Sequence, residues 1–138
     1  MDGSTPARLY ASLVGGVLVI AGISGFFYSS AFGSPGETDK VFGLLLVNGW
    51  HNVVHLATGA LGLMSMGYAA RAYAGGLGVV YLGVAIWGLI LGSGESILDV
   101  IPVNTEDNIL HLALGVLGIG AYLTTPADAD RARTTRTA

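Results

Sequence analysis

The sequence predicts an all-α integral membrane protein with four transmembrane helices, and three observations support this fold class. Of the 138 residues, 52% are hydrophobic and only 11% are charged, whereas soluble domains carry about 25% charged residues. The charges are clustered, so that four windows contain no Asp, Glu, Lys or Arg: 9–36, 41–70, 72–94 and 108–127. Each window can hold the ~20 apolar residues that cross a bilayer as a helix. The third observation is an internal repeat.

The repeat relates the first half of the chain to the second. Residues 48–62 return as residues 104–118 at a constant offset of 56, and residues 8–11 are echoed by residues 71–74 at an offset of 63. A duplicated unit usually folds as a pseudo-symmetric structure. Two tandem helical hairpins with the same orientation predict a pseudo-two-fold axis along the membrane normal.

One membrane domain is expected to cover residues 1–127, with its four helices at 7–27, 49–68, 71–92 and 105–124. The first helix is expected to be retained rather than removed as a signal peptide, because it is long and is the repeat partner of an internal helix. The apolar segments before helices two and four, 41–47 and 97–103, are expected to be non-helical and to lie along the membrane interface, since Pro102 disfavours helix at the residue before it. The polar tail, 128–138, is expected to be disordered.

Basic residues predict the orientation of the chain in the membrane. Lys40 lies on one side of the predicted helices, and the other basic residues lie on the opposite side: Arg8, Arg71, Arg131, Arg133 and Arg136. The positive-inside rule then places both termini in the cytoplasm. The expected location is the cytoplasmic membrane, crossed several times.

Composition and motifs exclude several classes of function. The chain has no cysteine, which excludes disulfides, thiolate ligands and thiol nucleophiles. No basic cluster lies in a predicted folded segment, so nucleic acid is not an expected partner. The sequence also has no nucleophile elbow, phosphate-binding glycine loop or HExxH motif, and we assign no catalytic residue. The expected partners are the lipid bilayer and a second copy or another membrane complex.

Each repeat carries a stripe of polar and small residues at helical spacing: His51, His55, Gly59 and Gly62 in the first copy, and Asp107, His111, Gly115 and Gly118 in the second. Small residues at such spacing mark faces where helix backbones approach closely. Helices two and four are therefore expected to face each other along these stripes. The histidines would then point into the protein, at a depth where ionisable residues usually have a function or a partner.

Four asparagines accompany the histidines and are interpreted as structural polar residues: Asn48, Asn52, Asn104 and Asn108. Asparagine is a favoured N-cap, so Asn48 and Asn104 are predicted to cap helices two and four. Asp107 would then be the third helical residue, where a carboxylate can reach back to the cap and meets the positive end of the helix dipole.

Three interpretations of the histidines are open at this level. They could be hydrogen-bonding residues that join the helices together with the asparagines. They could bind zinc, copper or iron through His51, His55, Asp107 and His111, because residues four apart on a helix can present two ligands to one ion. Alternatively, His55 and His111 could be the axial ligands of a haem placed between the helices, with the glycines making room for the macrocycle.

The two blocks at 52–56 and 108–112, each Asn-x-x-His-Leu, carry a family resemblance. On these residues the chain resembles an uncharacterised family, a domain of unknown function, of small prokaryotic four-helix integral membrane proteins. It is also loosely similar to the DoxX-type group. The resemblance covers residues 7–125 and implies the four-span fold, but no particular activity. The second copy has Asp107 where the first has His51, which excludes a symmetric site of four histidines.

The leading hypothesis for function is a non-enzymatic membrane protein of structural or accessory type, because packing glycines dominate the helices. The second hypothesis is a metal- or haem-binding redox protein that uses the polar residues of helices two and four. The third is a small transporter or channel component, since duplicated membrane proteins with polar residues in their helices often transport solutes.

Overall fold

The computed structural model describes residues 4–33 and 38–130. These residues form four helices and two short hairpins: α1 (Pro6–Gly25), β1 (Asp39–Val41), β2 (Leu45–Val47), α2 (Gly49–Ser65), α3 (Ala70–Leu91), β3 (Ser96–Ile97), β4 (Ile101–Pro102) and α4 (Thr105–Thr124). All four predicted helices are present, and α2 is shorter than expected. It ends at Ser65, whose carbonyl accepts the N–H groups of Tyr68 and Ala69 in a turn that leads directly into α3.

Side chains cap three of the four helices. Thr5 accepts the N–H of Arg8 at 3.3 Å at the start of α1, where Pro6 occupies the first helical position, a place that proline tolerates because its missing N–H would be unpaired there. As the sequence predicts, Asn48 caps α2 and Asn104 caps α4. The two asparagines thus fix where the second helix of each half begins.

The segments before α2 and α4 are antiparallel β-hairpins, which the all-α prediction did not include. In the first, Lys40 is opposite Leu46, and in the second, Ser96 is opposite Pro102. Both turns use left-handed backbone conformations, with φ of 53° at Phe42 and 55° at Leu98. In apolar surroundings, backbone groups outside a helix need hydrogen-bond partners, and pairing of two short strands supplies some of them.

The glycine stripes pack on α1 and α3, and this corrects the expectation that they join α2 to α4. A Cβ added at Gly59 would lie 2.7 Å from the Gly15 carbonyl oxygen in α1, and one added at Gly118 would lie 2.8 Å from the Ala74 oxygen in α3. Accordingly α1 packs along α2 and α3 packs along α4, whereas α2 and α4 contact each other far less. Glycine spacing indicated a close approach correctly but did not identify the neighbouring helix.

The helices have two structurally different ends, and both β-hairpins lie at one of them. We call the end with the two β-hairpins and the first residues of α2 and α4 the hairpin end. The loop end is the opposite one, where α1 and α3 begin and α4 finishes. The hydrophobic core lies towards the loop end and is formed mainly by small and aromatic residues of α1 and α3, among them Ala7, Tyr10, Ala11, Ala70, Ala74 and Tyr81.

Residues after α4 fold back over the loop end. The carbonyl of Ala129 accepts a hydrogen bond from the Arg8 guanidinium at 3.2 Å, and the Asp130 carboxylate accepts one from the Arg71 N–H at 3.1 Å. These contacts involve the first residues of the segment predicted to be a disordered tail. Its remainder, 131–138, lies outside the described residues.

Three helices are long and apolar enough to cross a membrane: Pro6–Gly25, Ala70–Leu91 and Thr105–Thr124. The outer surface of the helices carries many large apolar side chains that are exposed, such as Ile20, Ile90 and Leu117. Exposed apolar surface of this extent is unfavourable in water and favourable in lipid. The chain therefore has the character of a membrane protein.

Candidate metal centre

Three imidazoles meet at the hairpin end. We call His51 and His55 of α2 and His111 of α4 the histidine cluster. The ring centroid of His51 is 4.4 Å from that of His55 and 5.9 Å from that of His111, and the last two are 6.2 Å apart. One ring nitrogen of each residue lies within 4.8 Å of the corresponding atoms of the other two. The prediction that α2 and α4 bring their histidines together is confirmed.

Helical geometry and the surrounding elements bury this cluster. His51 and His55 are four residues apart, so they occupy one face of α2. His51 is 2% exposed and His111 is 3% exposed, while His55 is half-buried. Tyr81 of α3 stacks on His111 with ring centroids 5.1 Å apart and an angle of 20° between the planes. The rings are therefore enclosed by protein, close to the first turns of α2 and α4.

A backbone hydrogen bond determines which nitrogen of His51 carries hydrogen. The Nδ1 atom is 2.9 Å from the carbonyl oxygen of Leu46 in β2. A carbonyl oxygen can only accept, so Nδ1 must be the protonated nitrogen. In the neutral ring, Nε2 then has a free lone pair, and it is this nitrogen that is buried without a hydrogen-bond partner.

His111 has a second buried nitrogen of this kind. Its Nδ1 atom also has no hydrogen-bond partner among the described residues. Leaving a buried polar group unpaired costs about 1–3 kcal/mol, and such groups in native proteins usually indicate a strained, catalytic or ligand-binding site. Two such nitrogens lie in one cluster of imidazoles, and a neutral imidazole has one nitrogen whose lone pair can bind a metal ion.

Asp107, predicted as the fourth ligand, has a different partner. Its Oδ2 atom accepts the N–H of Leu46 at 2.9 Å. The group of mutually close ligand atoms consists of the three histidines, and Asp107 does not belong to it. Leu46 is thus bound by two side chains, because its carbonyl accepts from His51 and its N–H donates to Asp107.

The capping asparagines also connect the two halves. The Nδ2 atom of Asn48 donates to the carbonyl of Val100 in the second hairpin at 2.7 Å, and that of Asn104 donates to the carbonyl of Leu44 in the first hairpin at 2.6 Å. Each hairpin is therefore held by the helix cap of the other half. This exchange holds both hairpins against the first turns of α2 and α4.

Asn52 and Asn108 lie beside the cluster and pack on glycines. Asn52 donates through Nδ2 to the carbonyl of Ser29 at 2.8 Å. A Cβ at Gly25 would overlap the Asn52 amide, and one at Gly88 would overlap the Asn108 amide. These positions need glycine because the buried amide occupies the space of a side chain.

Two residues of the site, Leu46 and Tyr81, were not predicted from the sequence. The role of Leu46 is carried by its backbone, for which the sequence has no signal. Tyr81 had a usable signal, because it is a polar aromatic residue in the middle of the charge-free stretch 72–94. A buried tyrosine at that depth in a membrane helix is expected to contact another polar group.

Comparison with known proteins adds a family but no activity. The model of the family described as Domain of unknown function (DUF4383) matches residues 8–124. The match includes both hairpins and all three histidines, so the histidine cluster lies inside the family domain. No curated protein and no solved structure matches the chain.

Proposed function

We propose that this chain, which belongs to the family described as Domain of unknown function (DUF4383), is a membrane protein that binds one transition-metal ion in its histidine cluster. One observation carries the proposal: among three imidazole nitrogens within 4.8 Å of one another, the cluster includes residues with buried ring nitrogens that lack a hydrogen-bond partner. A metal ion would bind free lone pairs of this kind.

The unpaired nitrogens distinguish metal binding from a purely structural role. If the histidines served to join helices, their ring nitrogens would be paired with polar groups across the interface. Both His51 Nε2 and His111 Nδ1 are instead buried without such a partner. The asparagines, by contrast, form the hydrogen bonds that connect the halves. The capping asparagines Asn48 and Asn104 thus join the halves, and His51 Nε2 and His111 Nδ1 are available for a ligand.

The distances suit a single ion of the imidazole-binding metals. With metal–nitrogen bonds of about 2.0–2.1 Å, two ligand nitrogens on one tetrahedral ion are about 3.4 Å apart. The three nitrogens, all within 4.8 Å, reach that separation by small rotations of the rings. Imidazole ligands suit zinc, copper and iron, and three protein ligands leave a fourth position for water or a substrate.

The arrangement fits an ion better than haem. A haem between His55 and His111 would need a flat space between their rings, yet the ring of His51 lies 4.4 Å from one and 5.9 Å from the other. The glycines that might have made room for a macrocycle are filled by neighbouring helices, Gly59 by α1 and Gly115 by Leu82 of α3.

The proposal includes two halves related by a pseudo-two-fold axis, each a helix, a hairpin and a second helix. The exchanged hydrogen bonds support this, since Asn48 and Val100 correspond to Asn104 and Leu44 at the repeat offset of 56 residues. The left-handed turn residues Phe42 and Leu98 are related by the same offset. A metal ion close to the axis would take ligands from both halves.

We further propose four spans with the loop end in the cytoplasm. α2 has 17 residues, which is at the lower limit for a span. Arg8 and Arg71 lie at the loop end and Lys40 at the hairpin end, which agrees with the positive-inside rule. In intact cells, a membrane-impermeant maleimide should label Ser93→Cys but not Ser4→Cys. Labelling of Ser4→Cys alone would contradict this orientation.

Metal analysis tests the proposed function. The protein is purified in mild detergent from cells grown with zinc, copper and iron and then examined by elemental analysis. We expect about one transition-metal ion per chain, and its loss in His51→Ala, His55→Ala and His111→Ala. Gly59→Ala is the control, because its Cβ would lie 2.7 Å from the Gly15 oxygen and should lower stability without touching an imidazole.

The control separates loss of a ligand from loss of the fold. Gly59→Ala should retain its metal even where its melting temperature falls as far as that of the histidine variants. Metal-free unaltered protein that also fails to take up added Zn²⁺, Cu²⁺ or Fe²⁺ would contradict the proposed function.

A further inference from the structure

We infer that Asp107 is a positioning residue of the metal centre that acts on the ligand His51 through the backbone of Leu46. The inference rests on the proposed function, and it replaces the role of direct ligand that the sequence suggested for Asp107. The chain of contacts runs from the Asp107 carboxylate to the Leu46 N–H at 2.9 Å, and from the Leu46 carbonyl to His51 Nδ1 at 2.9 Å.

The Leu46 carbonyl fixes the orientation of the His51 ring. Histidine ligands of metals usually donate their second ring N–H to a carbonyl or a carboxylate, which fixes the tautomer and directs the other nitrogen at the metal. Leu46 provides this acceptor for His51. Its own position in β2 depends on the bond from its N–H to Asp107, so the carboxylate fixes the acceptor that orients the ligand.

Asp107 also supplies a negative charge near the histidine cluster. Three neutral imidazoles contribute no negative charge, and a divalent ion bound by them at a buried site would be costly without a nearby anion. The carboxylate of Asp107 is buried, with only 2% of the residue exposed. It is separated from the His51 ring by the backbone of one residue, so it can offset the charge of the ion without displacing the fourth ligand.

The inference also explains why the repeat is broken at this position. His51 and Asp107 correspond at the offset of 56, and each is the third residue of its helix. Both contact the backbone of Leu46, which offers one acceptor and one donor. One of the two positions must therefore donate and the other must accept, and two aspartates could not do both because an ionised carboxylate only accepts.

Titration with Co²⁺ tests this role, because Co²⁺ reports ligand geometry in its visible absorption band. The variants are Asp107→Asn, which keeps an oxygen acceptor but loses the charge, and Asp107→Leu, which loses both. Removing a partner that orients a ligand typically weakens metal binding 10–100-fold. We expect a Kd increase of about tenfold for Asp107→Asn and about a hundredfold for Asp107→Leu, with a shifted Co²⁺ band in the latter.

Glu106→Gln is the matched control, because Glu106 is exposed, lies next to Asp107 and carries the same charge in the first turn of α4. Its Kd should change less than about threefold, as befits a solvent-screened charge. Variants of Asp107 that are less stable but bind Co²⁺ with unchanged affinity and an unchanged band would show a helix-stabilising role only and overturn the inference. If the unaltered protein binds neither Co²⁺ nor Zn²⁺, the proposed function itself fails, and the inference with it.

Discussion

The hairpin end and the loop end differ in how many of their buried polar groups have hydrogen-bond partners. Towards the loop end, the Tyr10 hydroxyl donates to the Leu114 carbonyl at 2.9 Å and the Tyr73 hydroxyl donates to the Thr58 carbonyl at 3.0 Å. At the hairpin end, ring nitrogens of His51 and His111 are buried and have no hydrogen-bond partner among the described residues, and the same holds for the amide oxygens of Asn52 and Asn108. The hydroxyls of Tyr10 and Tyr73 therefore have partners, whereas these ring nitrogens and the hydroxyl of Tyr81, whose ring stacks on His111, lack them in the described part of the chain.

From this difference we expect the loop end to stabilise the fold and the hairpin end to hold the functional site. A buried polar group with a partner contributes about 1 kcal/mol, whereas one without a partner costs about 1–3 kcal/mol. The loop end combines paired hydroxyls with tightly packed alanines and is expected to hold the helices together. The hairpin end contains groups that are unfavourable until a ligand binds, which is the usual signature of a functional site.

Overpacking the close contact between α3 and α4 should have the largest effect on stability. In Gly118→Val, the new side chain would meet the Ala74 oxygen, which lies only 2.8 Å from an added Cβ. We expect the free energy of unfolding to fall by about 2–3 kcal/mol, measured by denaturation in mixed micelles. Gly120→Val on the same helix faces open space and is the control. Equal effects at both positions would contradict the packing assignment.

Replacing Asn104, which caps α4 and also bonds the first hairpin, should have an intermediate effect on the free energy of unfolding. Asn104→Ala loses both the cap on the Asp107 N–H at 2.9 Å and the bond to the Leu44 carbonyl at 2.6 Å. We expect a loss of about 1–2 kcal/mol and faster proteolysis of the first hairpin, although that hairpin is distant in sequence. The exposed neighbour Thr105 serves as control through Thr105→Ala. If Asn104→Ala leaves the rate of proteolysis of the first hairpin unchanged, the bond from Asn104 to Leu44 does not hold that hairpin in place.

Replacing His111, whose Nδ1 atom has no hydrogen-bond partner among the described residues, should have the smallest effect on the free energy of unfolding of the metal-free protein. His111→Phe keeps a ring against Tyr81 and removes a nitrogen that has no partner. The free energy of unfolding should change by less than about 1 kcal/mol. Zn²⁺ at a hundred times its Kd should stabilise the unaltered protein by about 2.7 kcal/mol and leave the variant unchanged. A large loss in the metal-free variant would instead indicate a structural histidine.

Much of the fold could be predicted because it depends on local patterns. Charge-free windows determine the helices, and Asn48 and Asn104 mark the starts of α2 and α4 through capping geometry that involves only the next three residues. His55 and His111 correspond at the offset of 56 residues, and this correspondence predicted that they would meet.

The remaining features depend on contacts that local sequence does not encode. The spacing of Gly59 and Gly118 indicates that another helix packs closely against each of them, but only the structure shows which helix that is. The hairpins have strands of only two or three residues, too short for an alternating pattern. The partner of Asp107 is a backbone N–H 61 residues away, so its capping position was visible in the sequence and its link to His51 was not.

X-ray absorption spectroscopy of the zinc-loaded protein shows directly whether the three histidines bind the ion. We expect three imidazole nitrogens at about 2.0 Å from the zinc, with a fourth light-atom ligand, and loss of one imidazole in His111→Phe. A shell of oxygen atoms alone, with the same spectrum in the variant, would show that the ion binds elsewhere and that the three rings are not a metal centre.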